Sequence, residues 1–396
     1  MIQISPETQL FIREHSSDDV RALALQAKKY PDINMPTAIT QIAGRQVAAE
    51  KIPSWREIEE IWYPKHLSLE QCSSEITARY KARLFQGDSL TDLTGGFGID
   101  CSFLATGFKS ATYVERQEEL CEIAAHNFPI LNLNHINVRN EDGVAYLQTM
   151  SPVDCIFLDP ARRNEHGGKT VAISDCEPNV AELEALLLSK ANRVMIKLSP
   201  MLDLSLALKE LKHTQEVHIL SVNNECKELL ILLGQTSPAE IAIHCVNLLT
   251  KGTQEEQHLV FTREQEQRSQ CTYTDSLGNY LYEPNASLLK AGAFRSIAAA
   301  YPVRKLHPNS HLYTSDSFIE NFPGRIFRIV NQCSFNKKEV KENLADLKKA
   351  NVTVRNFPAT VAELRKRLHL TEGGDTYLFA STLNNGQKVI IRCEKV

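Results

Sequence analysis

The stretch Leu90-Thr-Asp-Leu-Thr-Gly-Gly-Phe-Gly-Ile-Asp100 decides the fold. A short apolar run carries Asp92, and the chain then bends through Gly95, Gly96 and Gly98 into a segment that reads as helical. An acid at a strand end followed by such a bend suits a ligand that carries both a cation and an adenosine. The carboxylate takes an amine or a ribose hydroxyl, and the glycines admit backbone to the ligand with no Cβ between them. A phosphate-binding loop needs a Lys after its last Gly, and none follows here. A dinucleotide fingerprint read from Gly96 puts Cys101 where the third small residue belongs, and a pyrophosphate would meet Asp92 and Asp100.

Outward from this bend the pattern repeats as strand and helix. Residues 110–115 form an apolar run ending on Glu115, which lies 17 positions after Gly98. That is about where a doubly wound fold delivers an acid to a ribose, although a solvated strand-end Glu reads the same way. Residues 116–128 carry helical spacing at Leu120, Ile123, Ala124 and Phe128. A short strand at 136–138 leads to Asp142, placed either to meet an adenine amine or to cap the helix that begins near Val144. The run at 153–158 reads as a buried strand and stops at Asp159-Pro160-Ala161-Arg162-Arg163. Proline ends the ladder there, holding Asp159 at the carboxyl edge beside two permanently charged donors. A further strand reaches Lys197-Leu-Ser-Pro200, and residues 216–222 and 227–233 read as a closing hairpin.

Seven strands with helices between them, ending in a hairpin, resemble the Rossmann-like α/β fold of class I S-adenosylmethionine-dependent methyltransferases. The resemblance covers residues of about 85–236. It implies S-adenosylmethionine as cofactor, with Asp92, Thr94, Gly95, Gly96 and Gly98 around it, Glu115 and Arg116 at its ribose, Asp142 at its adenine and Asp159 at its edge. Asp159-Pro-Ala-Arg162 is similar to the Asp-Pro-Pro motif of base methylases, which implies Asp159, Pro160 and Arg162, with Lys197, as the acceptor-orienting set. Ser73-Ser-Glu-Ile-Thr-Ala-Arg-Tyr-Lys81 and Gly373-Gly-Asp-Thr-Tyr-Leu-Phe379 resemble a bacterial group of these enzymes that carries a THUMP-like C-terminal domain.

The chemistry so implied is in-line displacement at a sulfonium, which depends on alignment more than on covalent catalysis. The chain departs from the base-methylase motif twice: Ala161 replaces the second Pro, and Arg162 stands where an aromatic would stack on the base. Those departures motivate an alternative, a catalytically silent RNA-binding or assembly protein on the same fold. A nicotinamide enzyme is a third reading, opposed by Asp92. A pyrimidine-attacking cysteine is absent after the strand that ends at Lys197; Cys155 reads as core, and Cys176 is the remaining candidate. The long polar connection at 164–179 reads as a loop over substrate, with Lys169 available for a phosphate.

Net charge is −4 over 396 residues, but it divides unevenly. From position 323 onward 14 Lys and Arg face 7 Asp and Glu, a net +7, against 30 and 41 in the remainder. A basic module on an acidic body suggests a polyanion partner. With the THUMP resemblance this implies RNA, either tRNA or rRNA. The ten cysteines form no Cys-x-x-Cys pair, so no metal site or disulfide framework is expected and a cytoplasmic location is. No membrane span is expected either.

The expected domains are a helical region at 1–84, the methyltransferase domain at 85–236, a ferredoxin-like α+β module at 237–322 and a basic THUMP-like module at 323–396. Helices are expected at 18–29, 36–50, 55–61 and 68–85, the last opened by Ser68 and Gln71 as a capping box. Trp55, Trp62 and Tyr63 read as packing residues, as do Thr77 and Tyr80. One helix is expected over 286–301, with Glu283, Asn285 and Gly292 serving turn and cap.

Overall fold

The computed structural model describes residues 4–162, 172–251 and 255–396, without the side chains of His66 and Arg162. The chain forms two compact units, Met1–Gln215 with Leu230–Pro238, and Glu216–Leu229 with Ala239–Val396.

The first unit opens with α1 (Pro6–Glu14), α2 (Val20–Leu25), α3 (Met35–Lys51), α4 (Pro53–Arg56), α5 (His66–Gln71) and α6 (Glu75–Leu84). Ser5, Asp19 and Asn34 each accept a backbone N–H from the turn that follows, which explains where α1, α2 and α3 begin. The helix expected over 68–85 is two helices. Cys72 and Ser74 are extended, Ser68 lies inside α5, and the intervening Ser73 hydroxyl is engaged in a buried polar network described below. The helix expected over 55–61 shrinks to α4, because Trp55, Ile61 and Tyr63 turn inward together to pack with Phe97 and Ile99.

Strands β1 (Gly87–Asp92), β2 (Phe108–Glu115), β3 (Ile136–Asn140) and β4 (Val153–Leu158) follow. Two short antiparallel strands, β5 (Ala161–Arg162) and β6 (Cys176–Glu177), precede β7 (Ala191–Leu198). Within the main sheet β7-β4-β1-β2-β3 form a continuous run, and the pairings of that run are all parallel. Helices α7 (Ile99–Leu104), α8 (Glu118–Ile130), α9 (Gly143–Thr149), α10 (Val180–Lys190) and α11 (Leu204–Glu210) connect the series. Covering both faces explains the continuous apolar runs of the central strands: Cys155 through Leu158 and Val194 through Ile196 are each 1% exposed or less.

The hairpin of β8 (Thr214–Val222) and β9 (Glu225–Gly234) is divided between the units. Asn223 and Asn224 have φ of 48° and 70°, the backbone of a two-residue hairpin turn. In the second unit β10 (Ala242–Leu248) pairs with β8 in parallel and with β11 (Glu256–Thr262) antiparallel. After α12 (Arg263–Arg268), a seven-stranded sheet is built from β12 (Tyr280–Pro284), β13 (Arg304–Lys305), β14 (Tyr313–Ser315), β15 (Gly324–Ser334), β16 (Asn351–Val354), β17 (Thr376–Thr382) and β18 (Lys388–Lys395). Its order is β13-β14-β12-β15-β18-β17-β16. Strands from the region 237–322 thus divide between two sheets, and the second sheet is continuous with the C-terminal strands. The helix expected over 286–301 is two, α13 (Ala286–Ala291) and α14 (Phe294–Ala300), because Gly292 turns left-handed at φ 75° between them. The last helices are α15 (Lys337–Leu344) and α16 (Val361–Leu368). Among the described residues, no helix is long and apolar enough to cross a membrane.

Candidate active site

Parallel pairing carries the expected residues to one edge. Asp92 of β1 stands opposite Tyr113 of β2 and Phe157 of β4, and Leu158 of β4 stands opposite Ile196 of β7. Asp92, Glu115, Asp159 and Lys197 therefore finish side by side at the carboxyl-terminal edge, where open α/β sheets bind ligands.

The bend after β1 needs its glycines for two different reasons. Gly96 and Gly98 have φ of 53° and 87°, a conformation strained for residues with a Cβ. At Gly95 the reason is space: a Cβ there would lie 2.2 Å from the ring of Tyr113, which is fully buried. Tyr113 also donates its hydroxyl hydrogen to Gly96 O, so the ring supports the bend from beneath. Gly96 N and Gln117 N donate to the two oxygens of Glu115 at 2.9 and 2.8 Å. A carboxylate has about four lone-pair sites, so Glu115 keeps acceptor capacity while bracing the bend.

Asp92 is 1% exposed. Its Oδ1 accepts from Thr94 N at 3.0 Å, whereas Oδ2 is buried with no hydrogen-bond partner among the described residues. Burial raises this carboxyl well above the usual carboxylate range, with Asp100 and Asp159 adding to the rise and Thr94 N and Lys197 opposing it. Thr94 Oγ1 accepts from Asp159 N at 2.6 Å and ties the glycine bend to the Asp159-Pro160 turn.

Lys197 Nζ lies 2.5 Å from Asp159 Oδ2 and 3.3 Å from Asp100 Oδ2. The Asp159 side chain is 36% exposed. The surrounding protein nevertheless pushes its carboxyl up, with Lys197 pulling the other way. Asp100 behaves oppositely. Burial would raise it, but Lys81, Lys197 and the Ser73 hydroxyl outweigh burial and bring its carboxyl down to about 2. Lys81, fully buried, stands 3.0 Å from Asp100 Oδ1 and donates to Ser73 Oγ at 3.0 Å; Ser73 donates to Asp100 Oδ2 at 2.7 Å.

Asp142 follows β3 at the same edge, where Glu141 N donates to Glu115 O at 3.1 Å. Asp142 is exposed and caps α9, accepting from Val144 N and Ala145 N at 3.0 Å each. Arg116 reaches Glu177 at 3.7 Å with both side chains more than half exposed, where solvent screens the pair. Arg162 pairs by backbone with Cys176; its side chain, and residues 163–171 with Lys169, lie outside the described residues. Cys176 is 1% exposed like Cys155, a position without the access that a nucleophile needs. Ser73, Lys81 and Asp100 are the site residues that sequence reasoning missed. The phrase from Ser73 to Lys81 marks a resemblance, but nothing in it says that both of its ends turn inward.

The model for a ferredoxin-like domain matches residues 280–323, and that for a THUMP domain-like module matches 324–395. A crystal structure from Porphyromonas gingivalis W83, provisionally named a methyltransferase, is 34% identical, with a TM-score of 0.86 and complete coverage of both chains. The chain belongs to the methyltransferase family of that protein, with a THUMP-like C-terminal module. No curated protein matches it. An rRNA methylase from Streptococcus thermophilus is 13% identical over 40% of this chain and 93% of its own, with a TM-score of 0.30. A Streptococcus mutans chain in complex with S-adenosylhomocysteine, also provisionally named a methyltransferase, is 12% identical over 40% and 96%, with the same score. In this family member part of the basic module's charge is paired, some of it by an acid from the preceding segment. Arg325 and Arg355 both pair with Glu283, which is 2% exposed, and Arg328 pairs with Glu394. Lys337, Lys338, Lys348 and Lys349 are exposed.

Proposed function

We propose that the chain transfers a methyl group from S-adenosylmethionine to a nitrogen of a base in structured RNA, either tRNA or rRNA, in the cytoplasm. The observation that carries this reading is Asp92 Oδ2, a buried acceptor with no partner among the described residues, beside a bend held open by glycine. Such an oxygen calls for a donor from a ligand, and a cationic amine satisfies it best.

Asp92 would take the amine, Gly95, Gly96 and Gly98 would admit backbone to the cofactor, and Glu115 would take the ribose diol, flanked by Thr94 and Arg116. Asp142 would stand near the adenine. S-adenosylmethionine held there supplies an electrophilic methyl group. Asp159 would accept the N–H of the incoming base, with Pro160 fixing its direction and Arg162 beside it. A carboxyl raised by its surroundings is better matched to proton transfer near neutral pH, and Lys197 keeps the charged form accessible. The RNA reading draws support from the THUMP-like match and from the exposed lysines of that module. The 2.5 Å pairing of Lys197 with Asp159 favours the second reading, a silent RNA-binding protein whose acceptor site is closed by its own lysine.

Calorimetric titration with S-adenosylmethionine, followed by transfer of labelled methyl to RNA from a deletion strain, separates the two readings. The enzyme binds cofactor one to one and labels RNA, and Asp159→Ala abolishes labelling. Tight RNA binding without cofactor binding would sink the enzymatic reading, and full turnover by Asp159→Ala would remove that residue from it.

A further inference from the structure

The geometry points to a transition-metal site of the zinc class in the second unit, formed by Glu216 and His218 of β8 and His244 of β10, with His258 of β11 as fourth ligand. Strand register creates it. His244 is the direct partner of His218 in the parallel ladder, and His258 pairs with Val246, two residues along β10 and on the same face as His244. Glu216 lies two positions before His218, so it shares that face as well.

Donor atoms of Glu216, His218 and His244 all lie within 4.8 Å of one another. A tetrahedral ion with bonds of about 2.0–2.1 Å spaces its ligands about 3.3 Å apart. Two contacts already have that spacing: Glu216 Oε2 to His218 Nε2 at 3.2 Å, and His244 Nδ1 to His258 Nε2 at 3.2 Å. The His218 and His244 rings are stacked with centroids 4.3 Å apart, so closing on an ion requires side-chain rotation.

Three imidazoles and one carboxylate suit zinc, copper or nickel, not magnesium or calcium, which take all-oxygen shells. An ion there would tie three adjacent strands together. No Cys-x-x-Cys or His-x-x-x-His spacing links these ligands, because they come from three strands. The inference is independent of the methyl-transfer reading.

Tag-free, chelator-treated protein titrated with Zn(II) tests it, with Co(II) absorption reporting geometry. The expected result is one saturable site per chain, tetrahedral Co(II) bands and a melting temperature raised by Zn(II). Glu216→Gln should weaken binding by about 10- to 100-fold, and His244→Asn by at least as much. His258→Ala, at an exposed position where folding is safe, should also weaken it. Absence of a saturable site overturns the assignment, and so does a site whose affinity is unchanged in both His244→Asn and His258→Ala.

Discussion

Ser73 Oγ accepts a hydrogen bond from Lys197 Nζ at 3.1 Å, across 124 positions of sequence. The same oxygen accepts from Lys81 and donates to Asp100, which uses the full capacity of a hydroxyl. Two lysines and an aspartate are thereby held together beneath the candidate acceptor carboxylate. In a low-dielectric setting such a network is stabilising only when every member is satisfied.

Removing one member should therefore be costly. Ser73→Ala leaves buried donors unmet and should lower stability by about 1–3 kcal/mol. Asp100→Asn strips the anion from two lysines and should cost about 3–5 kcal/mol. The pH dependence has a definite sign. The Asp100 carboxyl is depressed in the folded state, so its contribution is complete above the unfolded value near 4 and is lost as pH falls through about 2. Denaturant midpoints measured from pH 5 to pH 2 should fall for wild type and flatten for Asp100→Asn.

Asp92 carries the opposite sign. Its folded carboxyl is raised, so the protein is favoured at low pH and its ionisation costs stability as pH rises. Asp92→Asn should melt higher than wild type at neutral pH, by a margin that grows with pH, while binding S-adenosylmethionine about tenfold or more weakly. Cofactor binding to wild type should release a proton, read as a calorimetric enthalpy that changes with the buffer. A destabilised Asp92→Asn protein would contradict this account.

Gly95→Ala forces a Cβ into the Tyr113 ring. Overpacking of this kind costs about 1–3 kcal/mol. The double variant Gly95→Ala/Tyr113→Val should recover part of that loss in thermal melts, since it clears the ring; a strictly additive double variant would place the strain elsewhere.

Basic residues of the C-terminal module should sort into two kinds. Substituting Lys337, Lys338, Lys348 and Lys349 by Ala should weaken RNA binding and lower the salt slope by about 3, with melting unchanged. Arg325→Ala or Arg355→Ala should instead lower stability by about 1–3 kcal/mol, since each leaves Glu283 short of a partner. Filter binding across a salt series and thermal melts distinguish the two.

What could be foreseen from the chain follows from how local each signal is. The alternation of apolar runs with turns fixed the parallel series, and Val153–Leu158 matches its expected strand at both ends. Asp92, Asp159 and Lys197 were findable because each ends an apolar run, and strand ends in this architecture share one edge. Ser73, Lys81 and Asp100 were not, since their meaning lies in tertiary contact. A lysine inside a helix gives no sign that it is fully buried. Helix length misled for a related reason: a helix is expected over 68–85, yet the chain is extended at Cys72 and Ser74, on either side of the Ser73 that donates to Asp100. In the same way Arg325 and Arg328 count toward the basic module by sequence, yet Glu283 and Glu394 pair with them.

The position of Lys81 sets a limit on how this protein can be dissected. A fragment starting at the glycine-bearing strand would keep Asp100 and Lys197 yet discard two of the groups that hold them, leaving an anion facing a hole where its counter-charge belonged. The segment from Ser73 to Lys81 is therefore part of the site that it precedes, and the sheet alone would not be a complete version of it.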